Sequence, residues 1–176
     1  MPVEVKGVIE LRKALRQFSP DLAKELTKEM GGALKPVVKK ARSFLPSNDS
    51  MISNWVGLKG RADNRFPQYD ASVARKGITY STSPAKANKR GFRSLATIYN
   101  KSAAGAIYET AGRKRPNSLF VKNLEAKTNG IMRGQDKMRG RVIFRAWEED
   151  NGVAQDAVMR AIMKAKDLFE ARKASL

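Results

Sequence analysis

The chain contains neither cysteine nor histidine in its 176 residues. Without cysteine there is no disulfide framework and no thiolate zinc site, and this composition fits a reducing compartment. Without histidine the usual general base and the commonest metal ligand are missing. The composition therefore argues against disulfide-rich secreted proteins and zinc proteins, and it leaves few groups for acid–base catalysis.

Long hydrophobic runs are also missing. The N-terminal segment MPVEVKGVIELRKALRQ has no continuous apolar stretch, and no part of the chain approaches the ~18 apolar residues of a membrane span. We therefore expect no signal peptide and no membrane contact. A chain of 176 residues with 41% hydrophobic content suits one domain that needs no metal or disulfide to fold.

Acidic residues are scarce, and the resulting positive charge is unevenly placed. The formal net charge is +18, with 10 basic and 6 acidic residues in 1–57, 20 and 5 in 58–145, and 5 and 6 in 146–176. Nearly all of the excess therefore lies in the middle of the chain. Such a field attracts phosphate polymers or acidic protein surfaces and repels other copies of the chain.

Helical spacing of apolar residues marks the N-terminal quarter of the chain. The pattern predicts a short helix over 7–18. Ser19-Pro20-Asp21 then starts a second helix, because serine caps well, proline suits the first helical position and an acid suits the helix dipole. The apolar stripe continues in phase across Pro36, so we predict one bent helix that ends at Pro46.

The middle of the chain is short, broken and rich in β-forming residues. We predict strands over 52–58, 77–82 and 141–147, the last being the strongest because RVIFRAW is β-branched and aromatic. Short strands or a turn of helix are expected over 95–99 and 106–108. Segments that are polar or basic predict loops over 63–74, 83–91 and 129–140. Glu148-Glu149-Asp150-Asn151 is expected to open and cap a last helix.

These elements predict an α+β fold. A long bent N-terminal helix and a C-terminal helix pack on a small, mostly antiparallel sheet with long basic loops. We expect a single domain over 1–176, with 1–46 helical, 52–147 β-rich with long loops, and 151–173 forming the C-terminal helix.

Motifs of catalysis are absent from the sequence, which has no GxxxxGK[ST], HExxH or GxSxG. Glu148, Glu149 and Asp150 are the only acid-rich cluster. They suit a hard cation, but charge complementarity at a helix start explains them better. Glu109 has no visible catalytic partner, and we expect it to meet a cation. The sequence therefore predicts a protein that is not an enzyme and has no metal or cofactor.

Three basic clusters dominate the middle of the chain. The first comprises Lys86, Lys89, Arg90 and Arg93, the second Arg113, Lys114 and Arg115, and the third Arg133, Lys137, Arg139 and Arg141. Aromatic residues on which bases could stack lie nearby, namely Phe92, Tyr99, Tyr108 and Phe120. No signature of a known nucleic-acid fold accompanies them. A polyanion or an acidic protein partner explains the three clusters together.

Four segments in a fixed order carry a resemblance. They are VKGVIELRKALRQF, PDLAKELTKEMGGALKPVVKKARSFLP, AIYETAG and GRVIFRAWEEDNGVAQDAVMRAIMKAKDLF. This order resembles the tail-completion or head–tail-joining neck proteins of long-tailed bacteriophages. The matching positions are Gly7, Leu11, Leu22, Val37, Val38, Ala41, Pro46, Tyr108, Glu109 and Gly112. The stretch 58–100 has no counterpart, and Ser47-Asn48-Asp49-Ser50 stands where the family has a glycine turn.

The resemblance implies a virion structural protein of the neck, assembled in the bacterial cytoplasm. Such proteins form homo-oligomeric rings, commonly hexamers, which join the capsid connector or a head-completion protein to the tail tube. Genomic DNA passes through the lumen without being read. On this basis Tyr108, Glu109 and Gly112 are expected at a subunit interface, and the basic clusters at the DNA channel or a partner protein.

Two alternatives remain at the sequence level. A tail terminator, which caps the tail tube, is a close relative of the neck proteins. A free nucleic-acid-binding protein without sequence preference belongs to a different class. Glu109 favours the ring, because an acid between cationic segments benefits a subunit contact and not a nucleic-acid groove. On that view Glu109→Lys blocks ring assembly and leaves the monomer folded.

Overall fold

The computed structural model describes residues 7–56, 67–135 and 138–174. Within them the chain forms seven helices and a two-stranded antiparallel sheet, which confirms the predicted α+β class. The elements are α1 (Val8–Phe18), α2 (Pro20–Ser43), α3 (Ala71–Gly77), β1 (Ile78–Ser81), β2 (Thr97–Asn100), α4 (Ala103–Thr110), α5 (Leu119–Thr128), α6 (Ile143–Asp150) and α7 (Val153–Ala174).

The chain groups into two compact units. The first unit holds the residues up to Pro36, Tyr80–Thr97 and the residues from Gly152 onward. The second unit holds Val37–Thr79 and Ile98–Asn151. Helix α2 contributes residues to both units.

The first unit is built on α1, the first part of α2, and α7. Their apolar stripes form one core, whose buried members are Val8, Leu15, Leu22, Leu26, Met30, Ala161, Ile162 and Ala165. Lys164 pairs with Glu25 and Glu29 at 2.9 and 2.6 Å at the rim of this core. These three side chains are partly exposed, so their ion pairs add little to the stability of the unit compared with the burial of its apolar side chains.

The helix predictions for the N-terminus are confirmed. Helix α1 covers the expected residues, and α2 begins at Pro20 and continues past Pro36 without ending. A Cβ at Gly31 would lie 2.9 Å from the Tyr80 hydroxyl oxygen. Glycine at position 31 therefore lets the tyrosine of β1 lie directly against the helix, within the first unit.

The second unit has an aromatic centre. Trp55 lies 5.3 Å from Tyr69 and 5.5 Å from Phe120, and Tyr69 lies 6.4 Å from Tyr108, measured between ring centroids. The polar atoms of two of these rings are satisfied, because Trp55 Nε1 donates to Pro67 O at 2.7 Å and the Tyr69 hydroxyl donates to Pro46 O at 2.8 Å. Burial raises the pKa of Tyr69, so this hydroxyl stays a neutral donor.

Strand β1 confirms the strand predicted over 77–82, and β2 covers 97–99 of the segment 95–99, where a short strand or a turn of helix is expected. The strand predicted over 52–58 is wrong, because described residues 52–56 form turns, while 57–58 lie outside the described residues. Of the loop expected over 63–74, residues 63–66 lie outside the described residues. The remainder contains the start of α3, because Asp70 caps that helix by accepting the Val73 N–H at 2.8 Å.

The strand predicted over 141–147 is also wrong. Residues from Ile143 to Asp150 form helix α6, and Ala106–Tyr108 belong to helix α4. The acids 148–150 close α6 instead of opening the last helix. Asn151 and Gly152 follow with φ angles of 50° and 86°, the left-handed conformation that ends a helix, and α7 begins at Val153.

Candidate functional site

Glu109 lies in the interior of the second unit, with 5% of its surface exposed. Its carboxylate accepts the Val142 N–H at 2.5 Å and the Phe144 N–H at 3.0 Å. These amides belong to the start of α6, whose own N-cap residue, Val142, provides no side-chain bond. Glu109 therefore caps α6 from the end of α4 and supplies the negative charge that a helix N-terminus favours.

The environment of Glu109 acts on its protonation in two directions. Burial is the largest effect and raises the pKa of the carboxyl, while the α6 amides and the charge of Arg113 lower it. The net pKa shift is upward. A Cβ at Gly140 would collide with the Glu109 carboxylate, so the backbone before α6 must approach it without a side chain.

Arg141 is the second buried charge of this unit, with 1% of its surface exposed. It donates to Gly130 O at 3.1 Å, to Tyr108 O at 3.2 Å and to Ala111 O. Its Nη2 atom pairs with the Glu125 carboxylate at 2.6 Å. One guanidinium therefore joins the end of α4, helix α5 and the loop before α6, and it satisfies carbonyls that α4 leaves free.

The predicted interface residues do not lie at the surface. Tyr108 has 0% exposure, and its hydroxyl donates to Thr128 Oγ1 at 3.2 Å. Gly112 turns the chain out of α4 with φ 94°, beside Val121 and Arg141. The assignment of Tyr108 and Glu109 to a subunit interface is therefore corrected, because both side chains are used within the unit. For the same reason Glu109→Lys is now expected to disrupt folding.

The second and third basic clusters lie side by side in this unit. Arg113 Nε donates to Arg139 O at 2.5 Å, and Arg133 pairs with Gly140 through two backbone bonds of 2.9 Å. The Arg113 guanidinium lies 4.9 Å from the Phe144 ring centroid. The cations that result form what we call the second-unit basic surface: exposed Lys114, Arg115, Arg133 and Arg139, together with half-buried Arg113. Lys137 lies outside the described residues, and Arg141 is buried beneath the surface.

Two apolar side chains accompany these cations. Ile131 is 51% exposed and Met138 is 60% exposed, and they flank the bridge between Arg133 and Gly140. Three nearby acids already have partners. Glu109 accepts from the α6 amides, Glu125 pairs with Arg141, and Glu149 pairs with Lys40 and Arg145. Among described residues none of the five surface cations forms an ion pair. The surface is therefore positive and partly apolar.

The first basic cluster lies in the first unit, on the loop that joins β1 to β2, residues 82–96. Ala85 N–H donates to Ser94 O at 2.9 Å, and Asn88 N–H donates to Phe92 O at 2.8 Å across the loop. At the tip the Asn88 side chain accepts the N–H groups of Arg90 and Phe92, both at 2.9 Å. Lys86, Lys89, Arg90 and Arg93 are all exposed.

Buried groups hold the base of this loop. Arg12, which is 6% exposed, donates to Thr82 O at 2.6 Å. Leu95 and Ala96 pack against the core of the first unit. Burial lowers the pKa of Arg12, and the nearby charge of Arg16 lowers it further.

The aromatic residues proposed for base stacking are mostly unavailable. Tyr108 is fully buried, Phe120 packs on Trp55, and Phe92 is half-buried. Tyr99 is 37% exposed, with the Lys101 amine 5.7 Å from its ring centroid. The basic loops therefore present charge with little ring surface.

Sequence reasoning missed the structural roles of Arg12 and Arg141. Arg12 lies at helical spacing between Val8 and Leu15, and a charge on an apolar stripe is a signal for a buried cation. Arg141 immediately precedes an apolar run but was assigned to an exposed cluster. Within 7–56, 67–135 and 138–174 no cluster of three acidic or other metal-binding side chains can hold an ion. No helix in that part is long and apolar enough to span a bilayer.

Comparison with known proteins gives no relative: no protein-family model, no curated protein and no solved structure matches the chain.

Proposed function

We propose that the chain is a bacteriophage virion structural protein, a ring-forming neck or tail-completion subunit that joins the capsid connector to the tail tube around the DNA channel. Its partners are other copies of itself, in a ring of six, the connector or head-completion protein, and the tail tube protein. Genomic DNA passes through the lumen. The chain works in the virion after assembly in the bacterial cytoplasm.

The second-unit basic surface is the observation that carries this proposal. Its cations form no ion pair with described residues, and exposed Ile131 and Met138 each lie two residues before a partner of the Arg133–Gly140 bridge. Protein interfaces combine apolar anchors with a charged rim, whereas a phosphate groove gains nothing from exposed aliphatic side chains. The ordered sequence features from Gly7 to the C-terminal helix support the same function.

The subunit contact in this proposal differs from the one that the sequence suggested. Tyr108 and Glu109 are buried supports of this surface, because the Glu109 carboxylate joins α4 to α6 and the Tyr108 hydroxyl joins α4 to Thr128 of α5. Gly112 turns the chain toward Arg113. The contact itself is made by the described residues of two loops, 113–118 on one and 131–135 and 138–140 on the other.

A free nucleic-acid-binding protein is the second candidate, and the β1–β2 loop favours it. That loop exposes four cations and no large apolar side chain. Tight DNA binding by a chain that stays monomeric would support this candidate, because net charge alone produces only weak binding.

Electron microscopy of particles assembled with a tagged copy of the chain tests the proposal. Gold label directed at the tag is expected at one position, between the capsid and the tail. A capsid-protein tag serves as the control for labelling. Absence of the chain from purified particles, or label distributed along the tail, would refute the neck assignment.

A further inference from the structure

The β1–β2 loop, residues 82–96, differs from the second-unit basic surface in its chemistry. No acidic residue occurs between Asp70 and Glu109, so every charged side chain of the loop and its flanks is basic. Its four cations form no ion pair with the described residues. No large hydrophobic side chain between Thr82 and Ala96 is exposed, in contrast to Ile131 and Met138 on the other surface.

The loop is also ordered before any partner arrives. The cross-loop bonds of Ala85 and Asn88 and the two bonds accepted by the Asn88 side chain fix its shape. Arg12 holds Thr82 at its base. An ordered loop loses less conformational entropy on binding than a disordered basic tail, so a larger share of each electrostatic contact appears as affinity.

We propose that Lys86, Lys89, Arg90 and Arg93 form a binding site for the phosphodiester backbone of double-stranded DNA. Lysine and arginine donate to phosphate oxygens, and hydroxyl groups such as those of Ser83 and Ser94 are further phosphate donors beside them. The site contacts the backbone alone. It therefore holds duplex DNA in a fixed orientation without reading its sequence.

Two other occupants fit less well. An acidic protein would need apolar or aromatic anchors, and the loop offers only half-buried Phe92. A single strand would be held by stacking on several rings, and the loop has one. The proposal deepens the proposed function and rests on it, because it assigns DNA contact to this loop and protein contact to the second-unit basic surface.

The test compares two variants of the full-length protein that remove the same charge. In Lys86→Gln/Lys89→Gln both changes lie in the loop. In Lys24→Gln/Lys28→Gln both lie on the exposed face of α2, in the same unit. The probe is a fluorescein-labelled 20-base-pair duplex of arbitrary sequence, and fluorescence anisotropy gives the affinity at several salt concentrations. Circular dichroism confirms that both variants are folded.

The loop variant should lose about two units of the slope of log K against log salt, and at least about tenfold in affinity at 100 mM salt, because each phosphate contact contributes close to one unit. The α2 variant should retain the wild-type slope. Equal losses in the two variants would mean that net charge alone attracts DNA, and would overturn the site. No loss in the loop variant would overturn it as well.

Two competitors separate the remaining occupants. Unlabelled duplex of a different sequence should displace the probe, and poly-L-glutamate at matched charge should displace it poorly. Equal displacement by poly-L-glutamate would favour an acidic protein and refute the proposal. Tighter binding of a single strand, abolished by Phe92→Ala, would assign the loop to base stacking and refute it too. These outcomes are independent of gold labelling, so the site and the neck function can fail separately.

Discussion

At the scale of single residues, two buried charges of opposite sign organise the second unit. Glu109 ends α4 and caps α6, and Arg141, just before α6, collects carbonyls from the end of α4. The end of α4 therefore supplies the Glu109 carboxylate to the N-terminus of α6, and its carbonyls accept hydrogen bonds from the Arg141 guanidinium. The cations that follow Glu109 do not pair with it directly, because its carboxylate oxygens are occupied by backbone amides.

Removal of the Glu109 carboxylate should destabilise the fold. Glu109→Ala leaves the N–H groups of Val142 and Phe144 without their acceptor, and each buried unsatisfied donor costs about 1–3 kcal/mol. We expect a loss of about 2–4 kcal/mol in the free energy of unfolding, measured by urea denaturation. Glu125→Ala is unsuitable as a control, because it removes the ion-pair partner of buried Arg141. Glu10 is exposed, so Glu10→Ala serves as the control and should leave the free energy of unfolding nearly unchanged.

The pH dependence of stability should carry a signature of Glu109. Its folded pKa lies above the unfolded value of about 4.3, so the folded state binds this proton more tightly. This carboxyl group therefore stabilises the fold fully at pH values below its unfolded pKa, and the stabilisation is lost as the pH rises through its folded pKa. Glu109→Gln lacks this titration, so the advantage of wild type over Glu109→Gln should shrink with rising pH. An advantage that grows with pH would contradict the upward shift.

Replacement of Arg141 should be among the most damaging changes in this unit. Arg141→Met fills much of the same space but leaves three carbonyls and the Glu125 carboxylate without their donor. We expect a loss of about 3–5 kcal/mol in the free energy of unfolding. Arg115→Met makes the same substitution at an exposed position and should cost less than about 0.5 kcal/mol. Similar midpoints of the two variants in urea would argue against the structural role of Arg141.

At the scale of elements, α6 shows why local pattern was insufficient. RVIFRAW has the β-branched and aromatic content of a strand, yet it forms a helix because Glu109 caps it and because Arg145 contacts the Phe44 ring at 4.0 Å and the Glu149 carboxylate at 3.0 Å. These contacts come largely from residues distant in sequence. Helices α1, α2 and α7 and strand β1 were predictable, because their apolar periodicity or β-propensity agrees with their environment.

The exposure of most basic residues follows from composition for the same reason. Lys86, Lys89, Arg90 and Arg93 and the cations Lys114, Arg115, Arg133 and Arg139 are exposed, since like charges on polar segments stay in solvent. The juxtaposition of Arg113 with Arg139, and the burial of Glu109 and Arg141, depend on tertiary packing. No periodicity in one sequence contains that information.

Adjacent glycines in α2 provide a test at the element scale. Gly32→Ala should stabilise the protein by about 0.5–1 kcal/mol, because a Cβ there meets nothing within 4 Å and alanine favours a helix. Gly31→Ala should lack this gain or destabilise, because its Cβ meets the Tyr80 hydroxyl. Thermal unfolding of both variants measures the difference, and equal stabilisation would show that Tyr80 does not pack on the helix.

At the scale of the whole molecule, the positive charge is divided between two surfaces of different chemistry. The second-unit basic surface adds exposed Ile131 and Met138 to its cations, while the β1–β2 loop presents cations alone. A subunit that joins proteins around DNA needs both kinds of surface. A net charge of +18 also repels copies of the chain, so assembly should strengthen as salt screens this repulsion.

Assembly should depend on the apolar pair of the second-unit basic surface. Ile131→Ser/Met138→Ser removes the apolar anchors and should raise the protein concentration needed for half-assembly by about tenfold or more. Val73→Ser is the control, since Val73 is 59% exposed and belongs to α3 and not to these loops. Mass photometry measures the distribution of oligomers, and an equal effect of both variants would remove this surface from the interface.

The most direct test of the ring-forming neck function is negative-stain electron microscopy of the purified wild-type chain, with mass photometry of the same sample, at moderate and high salt. The expected result is a closed ring with a central lumen and a mass that is an integral multiple of 19.5 kDa, with six as the expected number. A monomer at every protein and salt concentration, with or without duplex DNA, would contradict the account, and so would open filaments that never close.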